Sequence, residues 1–244
     1  MENKIIELWY KDDQFKNQFS SASKKEIIFN RWSVFKKIIR NHNFRKQKLN
    51  ILDLGCGDGI NVSGLISIFD ELDYEYQITA SDYNPSRVAK LQKKFPQVRT
   101  KMYDLLKDDD IVKYDLILFN HVLEHIENDK LALTNLNKLL SKEGLIILGI
   151  PNEGCFIAQL RNKIFQPKIL KFTDHVNFYT SNSIEKKFEP HFRIKSLDRE
   201  GFFMPHDLLQ RWFRKTKIGR SLLRMLLFLF PSQSAGLIYG LEHK

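Results

Sequence analysis

Apolar residues recur along this chain in two alternating periods. Leu49, Ile51, Leu52 and Leu54 have the length and apolarity of a strand buried on both faces, and the glycines that follow stop it at Gly55. From about Ile60 the period changes, because Val62, Leu65, Ile66 and Phe69 fall at helical spacing. The same exchange repeats downstream. Tyr76–Ser81 reads as a second strand ending at Asp82, with Asn84 and Pro85 starting a helix through Lys94. Val98–Tyr103 and Tyr114–Phe119 read as strands three and four, and a helix is expected from about Asn128 to Leu140. Ser141–Gly144 is expected to turn into a fifth strand, Leu145–Ile150, and a helix near 182–188 leads to a sixth, Phe192–Leu197. Strands and helices alternating at this spacing predict a parallel, doubly wound α/β sheet.

The flanks are read from capping and charge. Ser23 with Glu26 makes a capping-box start, followed by Ile28, Trp32, Phe35 and Ile39 at helical spacing to about Asn41. Before it, Trp9, Tyr10, Phe15 and Phe19 suggest a surface helix packed by its aromatics. Gly154–Thr173 interrupts the alternation with Phe156, Arg161, Lys163, Phe165, Lys168 and Lys171, an insertion expected to overhang the ligand crevice. The expected organisation is therefore an N-terminal helical extension (1–47), a core (48–202), a basic and apolar helical insertion (203–232) and a closing strand (233–244).

Composition narrows the class. With 244 residues and 43% hydrophobic content the chain can bury a sizeable core, so disorder is not expected. Two cysteines, Cys56 and Cys155, make no disulfide framework, and Met1–Lys4 opens no long apolar segment. A cytoplasmic chain, soluble or peripheral to a membrane, is the expectation. A net charge of +10 favours anionic partners without choosing among them.

The candidate chemistry begins at Gly55, Gly57 and Gly59, which let a ligand approach the backbone and the free amides of a helix N-terminus. Nicotinamide-binding turns read G-x-G-x-x-G, whereas Asp53–Gly59 reads D-x-G-x-G-x-G. Asp53 and Asp58 add carboxylates beside the loop, which suit a cationic ligand and repel a pyrophosphate.

That run resembles motif I of class I S-adenosylmethionine (SAM)-dependent methyltransferases, and further landmarks follow in the family's order: Asp82, Asp104 and the run Asn120-His121-Val122-Leu123-Glu124-His125. His175–Thr180 matches an H-x-x-F-x-[ST] shape found at the same place in several methyltransferase families. The resemblance implies a Rossmann-like seven-stranded sheet whose last strand, here Gly236–His243, runs antiparallel. It implies SAM as cofactor, held by Asp53, Gly55, Cys56, Gly57, Asp82, Tyr83, Asp104, Leu105, Asn120 and His121, with Asp82 on the ribose and Asp104 on the adenine. Residues after the fourth strand would face the transferred methyl, which makes His121, Glu124, His125 and His175 the catalytic candidates.

The same four residues resemble the E-x-x-E-H…H metal site of small-RNA 2′-O-methyltransferases and the acidic motif of quinone-biosynthesis O-methyltransferases. His121 replaces the first glutamate, which would soften a divalent site from magnesium toward zinc, manganese or iron. The alternative stays open that Glu124 and His125 only pack and hydrogen-bond while His121 alone acts as base. The expected acceptor is a hydroxyl of an anionic small molecule, a sugar or a lipid-linked surface-glycan intermediate of polysaccharide biosynthesis. Competing readings are an RNA 2′-O-methyltransferase, a non-enzymatic SAM-binding module and, against the glycine spacing, a nicotinamide-dependent oxidoreductase. Nucleic acid is disfavoured as a partner because no recognisable module for it is present. Residues 205–231 combine six cations with leucines, phenylalanines and a tryptophan, which suits either an interfacial segment beside anionic lipid or packing on the core or a second copy.

Overall fold

A computed structural model of the chain describes residues 22–109, 111–168 and 173–244. The aromatic cluster Trp9–Phe19, Asp110 and Lys171 lie outside the described residues, as does the side chain of Ser23 with its expected capping box. The elements are α1 (Ala22–His42), β1 (Lys48–Leu54), α2 (Ile60–Glu71), β2 (Glu75–Asp82), α3 (Pro85–Lys94), β3 (Arg99–Met102), β4 (Tyr114–Asn120), α4 (Asp129–Leu139) and β5 (Leu140–Pro151). After them come α5 (Phe156–Leu160), α6 (Ser181–Phe188), β6 (Phe192–Phe202), α7 (Asp207–Lys215), α8 (Lys217–Leu229) and β7 (Ser234–His243). The strands form a seven-stranded sheet in the order β3-β2-β1-β4-β5-β7-β6, a Rossmann-like arrangement with an antiparallel last strand.

The chain divides into two compact units, one running to Leu118 and including Lys138–Leu145, the other comprising Phe119–Asn137 and Ile146–Lys244. In the first, β1 pairs in parallel with β2 and with β4, and β2 pairs in parallel with β3. Leu49, Ile51, Leu52 and Leu54 are all buried, as a strand covered on both faces requires. Helix α3 starts where its cap dictates: the Asn84 side chain accepts from the Ser86 and Arg87 amides, and Pro85 supplies the first helical position. Helix α1 lies against α2, where a Cβ on Gly64 would stand 2.5 Å from Trp32 Nε1, so the absence of a side chain lets the indole seat on the helix.

In the second unit β7 runs antiparallel to both β5 and β6, with a bulge between Ile194 and Ser196. Two strands differ from expectation. β6 continues to Phe202 instead of Leu197, because the polar stretch Asp198–Glu200 keeps pairing with Ile238–Gly236 on an edge strand that faces water. β5 begins at Leu140, so Ser141–Gly144 is its polar lead-in and not a turn; only from Leu145 is it continuously buried. The expected insertion after β5 is a short helix, α5, followed by a π-helical turn at Arg161–Phe165. Among the described residues no helix is long and apolar enough to cross a membrane.

Candidate active site

At the C-terminal end of β1 the chain turns through Gly55, Gly57 and Gly59, with φ of 76°, 53° and 80°, a region open to glycine at little cost. The loop is tied to β2: the Gly55 and Cys56 amides both donate to the Ser81 carbonyl, at 2.8 and 2.9 Å. A Cβ on Gly57 would meet nothing within 4 Å, so the loop is open there, whereas one on Gly59 would meet Leu91 and Phe95 of α3. Gly59 thus serves packing, and Gly57 leaves its backbone approachable.

Asp82 is the loop's anchor. Its Oδ2 accepts from the Gly57 amide at 3.1 Å and stands 3.5 Å from Arg87 Nη1, while Oδ1 accepts from the Asn84 amide at 3.0 Å. Of roughly four acceptor positions on an ionised carboxylate, three are engaged within the protein and one remains for a ligand hydroxyl. Tyr83 beside it is 63% exposed.

Asp53 has a different environment. It is fully buried at the end of β1, its Oδ2 has no hydrogen-bond partner, and burial followed by repulsion from Asp82 pushes its carboxyl up to about 8. Asp58 Oδ2 is likewise buried without a partner. Cys56 fills the loop as a buried neutral thiol, since burial and then the carboxylates of Asp53 and Asp82 push it well above the ordinary range. Asp104 closes a local turn: Oδ1 accepts from the Leu106 amide at 3.0 Å and Oδ2 pairs with Lys107 at 3.1 Å. The Leu105 side chain is buried in the same unit.

In the second unit β4 ends at Asn120, and His121 follows with φ of 55°, left-handed backbone that costs a non-glycine residue on the order of 1 kcal/mol. Its amide is held by the Gly149 carbonyl of β5 at 2.8 Å. Gly149 is small for a reason, because a Cβ there would stand 2.1 Å from Asn120 Oδ1. That Asn120 oxygen is buried and has no partner. The strained turn aims the His121 ring at Glu124: Nδ1 lies 3.1 Å from Glu124 Oε1, and Glu124 is fully buried while His121 keeps 35% of its side chain exposed. Burial pushes the Glu124 carboxyl up, but the hydrogen bond and charge of His121 outweigh it, and the group titrates below the ordinary glutamate range. With Nδ1 on the carboxylate, Nε2 is the ring nitrogen that remains, the arrangement of a histidine base held by a carboxylate.

Leu123–His125 is a 3₁₀ turn, which sets Glu124 and His125 beside the loop carrying His175. The Glu124 carbonyl accepts from the Val176 and Asn177 amides at 2.9 and 3.1 Å, clamping that loop. One ligand atom each from Glu124, His125 and His175 lies within 4.8 Å of the others, and Glu124 Oε2 is buried without a partner. His175 Nδ1 is 2.7 Å from Glu153 Oε2, and His125 Nδ1 is 3.2 Å from Asp174 Oδ2. The Glu153 carboxylate holds His175 Nδ1, which leaves its Nε2 open to a ligand, while His125 Nδ1 makes an ion-pair contact with Asp174. Burial lowers His175, but the bond to Glu153 and the charges of Glu153, Glu124 and Asp174 more than offset it, so its proton is held above the usual 6.5.

The structure thus groups three of the four expected metal ligands and places His121 on Glu124 instead, because the left-handed turn sends its ring to the other carboxylate oxygen. Sequence spacing did not disclose Glu153, Asp174 or Arg87. Asp174 is adjacent to His175, but Glu153 stands 22 residues from its partner, a separation that no period reveals.

Comparison with known proteins gives the family and the fold. Residues 26–190 match the methyltransferase domain family. The ribosomal protein L11 methyltransferase of Thermosipho melanesiensis is 32% identical over 109 residues, 43% of this chain and 39% of that protein. The ubiquinone biosynthesis O-methyltransferase of Rickettsia akari is 26% identical over 173 residues, 63% of this chain and 66% of that protein. The chain thus spans well under half of the first relative's length and just under two thirds of the second's. Among solved structures, the N-methyltransferase NodS of Bradyrhizobium japonicum, in complex with S-adenosyl-L-homocysteine, shares the fold at 12% identity and a TM-score of 0.60, covering 97% of this chain and 95% of that one. A SAM-dependent methyltransferase of Anabaena variabilis shares it at 20% identity and a TM-score of 0.57, over 86% and 84%.

Proposed function

The chain belongs to the methyltransferase domain family, and from that premise we propose that it is a SAM-dependent O-methyltransferase acting on a hydroxyl of an anionic small molecule, sugar or lipid-linked glycan intermediate in a reducing cytoplasm. The donor fits the residues present. SAM carries a sulfonium and an ammonium, and the first unit offers an approachable loop at Gly57 with two buried carboxylate oxygens, on Asp53 and Asp58, that lack partners. When bound, SAM supplies an activated methyl to an in-line nucleophile. Gly55 and Gly57 would lie along its methionine part, the remaining acceptor position of Asp82 would take a ribose hydroxyl beside Tyr83, and Asp104 with Leu105 would flank the adenine.

The observation that carries the O-methyl reading is the His121–Glu124 pair. A hydroxyl must lose its proton as it is methylated, and a histidine whose other nitrogen is fixed on a buried carboxylate is built to accept one. A net charge of +10 favours acceptors bearing phosphate or carboxylate. The test is transfer of labelled methyl from SAM to a panel of sugar phosphates, nucleotide sugars, polyprenyl-linked glycans, phenols and RNA. Exclusive labelling of RNA, or of an amine, would displace the reading.

Asp53 gives a pH dependence with a definite sign. Its folded carboxyl is raised from 3.8 to about 8, so the folded chain keeps a proton that the unfolded chain releases. The stability that Asp53 contributes without ligand is therefore fully present below the unfolded value and is lost as pH rises toward about 8. A cationic ligand favours the ionised carboxylate, so SAM binding at pH 7 is expected to release up to about one proton. Calorimetry in buffers of different ionisation enthalpy reads this directly, and Asp53→Asn should remove the release while flattening the pH dependence of melting. Identical proton release from parent and variant would assign it elsewhere.

Glu124, His125 and His175 also fit a divalent ion of the zinc, manganese or iron type: two imidazole nitrogens and one carboxylate oxygen, with Glu153 and Asp174 orienting the rings. Such an ion would act as a Lewis acid on the acceptor oxygen. Metal content after dialysis against zinc or manganese is expected near one ion per chain, with Glu153→Gln weakening affinity roughly 10–100-fold. Uptake should weaken as pH falls, because the raised His175 must give up its proton. Equal metal content in the parent and in His175→Ala would remove the metal and leave His121 as a base on its own.

A further inference from the structure

Helices α7 and α8 form a hairpin whose apolar surface exceeds what the protein covers. On α8 the covered side is Gly219 and Leu223, with Leu226 and Leu227 half-buried. A second apolar stripe, Ile218, Leu222, Met225 and Leu229, recurs at helical spacing on another side and is exposed, with Ile218 at 76%, and Phe228 near its far end is 84% exposed. On α7, Leu208 and Trp212 likewise face solvent one turn apart, while Gln210 is the buried side. The two helices are joined tightly: Thr216 caps α8 by accepting from the Gly219 amide, and Arg220 Nη1 donates to the Arg214 carbonyl at 3.0 Å. The pair is thus a fixed element, not a loose tail.

The charge around this stripe is of one sign. Arg211 and Lys215 on α7, with Lys217 and Arg224 on α8, are all exposed. Between Asp207 and Glu242 the chain contains no acidic residue. Long basic side chains beside an apolar stripe can bury their stems along it and keep their charges at the level of phosphate groups.

We propose that the α7–α8 hairpin docks this protein on an anionic lipid surface, lying in the plane of the interface with Trp212, Ile218 and Phe228 inserted and the four cations among the headgroups. Neither helix reaches the length that spanning demands, so the attachment is peripheral. A second copy of the chain is the poorer occupant, because a two-fold contact would bring the same cations against themselves with Asp207 as the hairpin's single acid to answer them. Nucleic acid is poorer as well, since the stripe is mainly aliphatic and offers few rings on which bases stack. The docking does not depend on the transfer chemistry, so it stands or falls separately from the methyltransferase reading.

The experiment is flotation of the full chain with phosphatidylcholine vesicles, with and without about one third phosphatidylglycerol, at low and high salt. Binding is expected only with the anionic vesicles and should weaken as salt rises. Arg211→Gln, Lys215→Gln and Arg224→Gln together should weaken it about 100-fold, at about fivefold per charge. Ile218→Ser with Phe228→Ser should abolish quenching of tryptophan by brominated lipid chains. All substituted residues are exposed, and unchanged melting curves would confirm that the variants fold. Equal binding to neutral vesicles, no binding at low salt, a dimer that Phe228→Ser dissociates without vesicle binding, or preference for RNA over anionic vesicles would each overturn the proposal.

Discussion

His121→Asn is expected to slow methyl transfer by about 10²–10⁴-fold, the range a positioned general base contributes, while changing S-adenosylhomocysteine affinity no more than severalfold. Asparagine is the informative replacement because it tolerates the left-handed backbone at φ of 55° and its amide can still donate toward Glu124. The fold and the buried carboxylate are therefore kept, and what is removed is the titratable nitrogen. The acidic limb of the pH–rate profile, created by protonation of the base, should disappear with it. His121→Ala is the harsher comparison, since it strips Glu124 Oε1 of its partner inside a fully buried site and adds an unpaired charge to the cost. If the Asn variant transfers methyl within about threefold of the parent rate, His121 is not the base, and proton removal must be sought at the Glu124–His125–His175 group.

Asp82→Ala should reduce S-adenosylhomocysteine affinity by at least 10–100-fold, equivalent to about 1.5–3 kcal/mol for a hydrogen bond to a charged group. The structure adds a second route to the same loss. Without the carboxylate, the Gly57 and Asn84 amides and the Arg87 guanidinium all lose an acceptor in a site where Asp82 is buried. The loop after β1 would then be free to leave the conformation its glycines permit. Asp82→Asn separates the two effects, because the amide oxygen can hold one loop amide while the negative charge is gone. Ligand affinity measured by calorimetry and melting temperature measured on the free protein should both fall in the alanine variant, and the melting temperature should fall less in the asparagine one. An alanine variant that binds as tightly as the parent would remove Asp82 from the site.

The central strands of the sheet were legible because they are buried on both faces and so read as continuous apolar runs. Tyr114–Asn120 is buried at every position, and β1 from Ile51 to Leu54 likewise. The start of α3 was legible for a different reason: Asn84 and Pro85 act through local hydrogen bonds and a fixed φ, which sequence alone determines. What escaped was set by partners far away in the chain. The polar end of β6 has strand geometry only because β7 offers it a ladder. The left-handed turn at His121 and the carboxylates behind His125 and His175 depend on β5 and on the loop beyond it, so the candidate ligands were nameable while their arrangement was not.

Synthesis of a chain is vectorial, and the second unit is assembled against that direction. β7 is the last of the seven strands to leave the ribosome, yet it is the one that sits between β5 and β6 and supplies the ladder to both. Until Ser234–His243 emerge, the apolar run Ile146–Ile150 presents an unpaired row of amides and carbonyls, the kind of edge on which nascent chains join one another. The histidine loop and the α7–α8 hairpin are both made before the strand that closes their unit, so neither is held in its final place until that strand has paired. The edge of β5 is thus shielded only by a strand made about eighty residues after it, and shielding it in the interval is what separates folding from self-association.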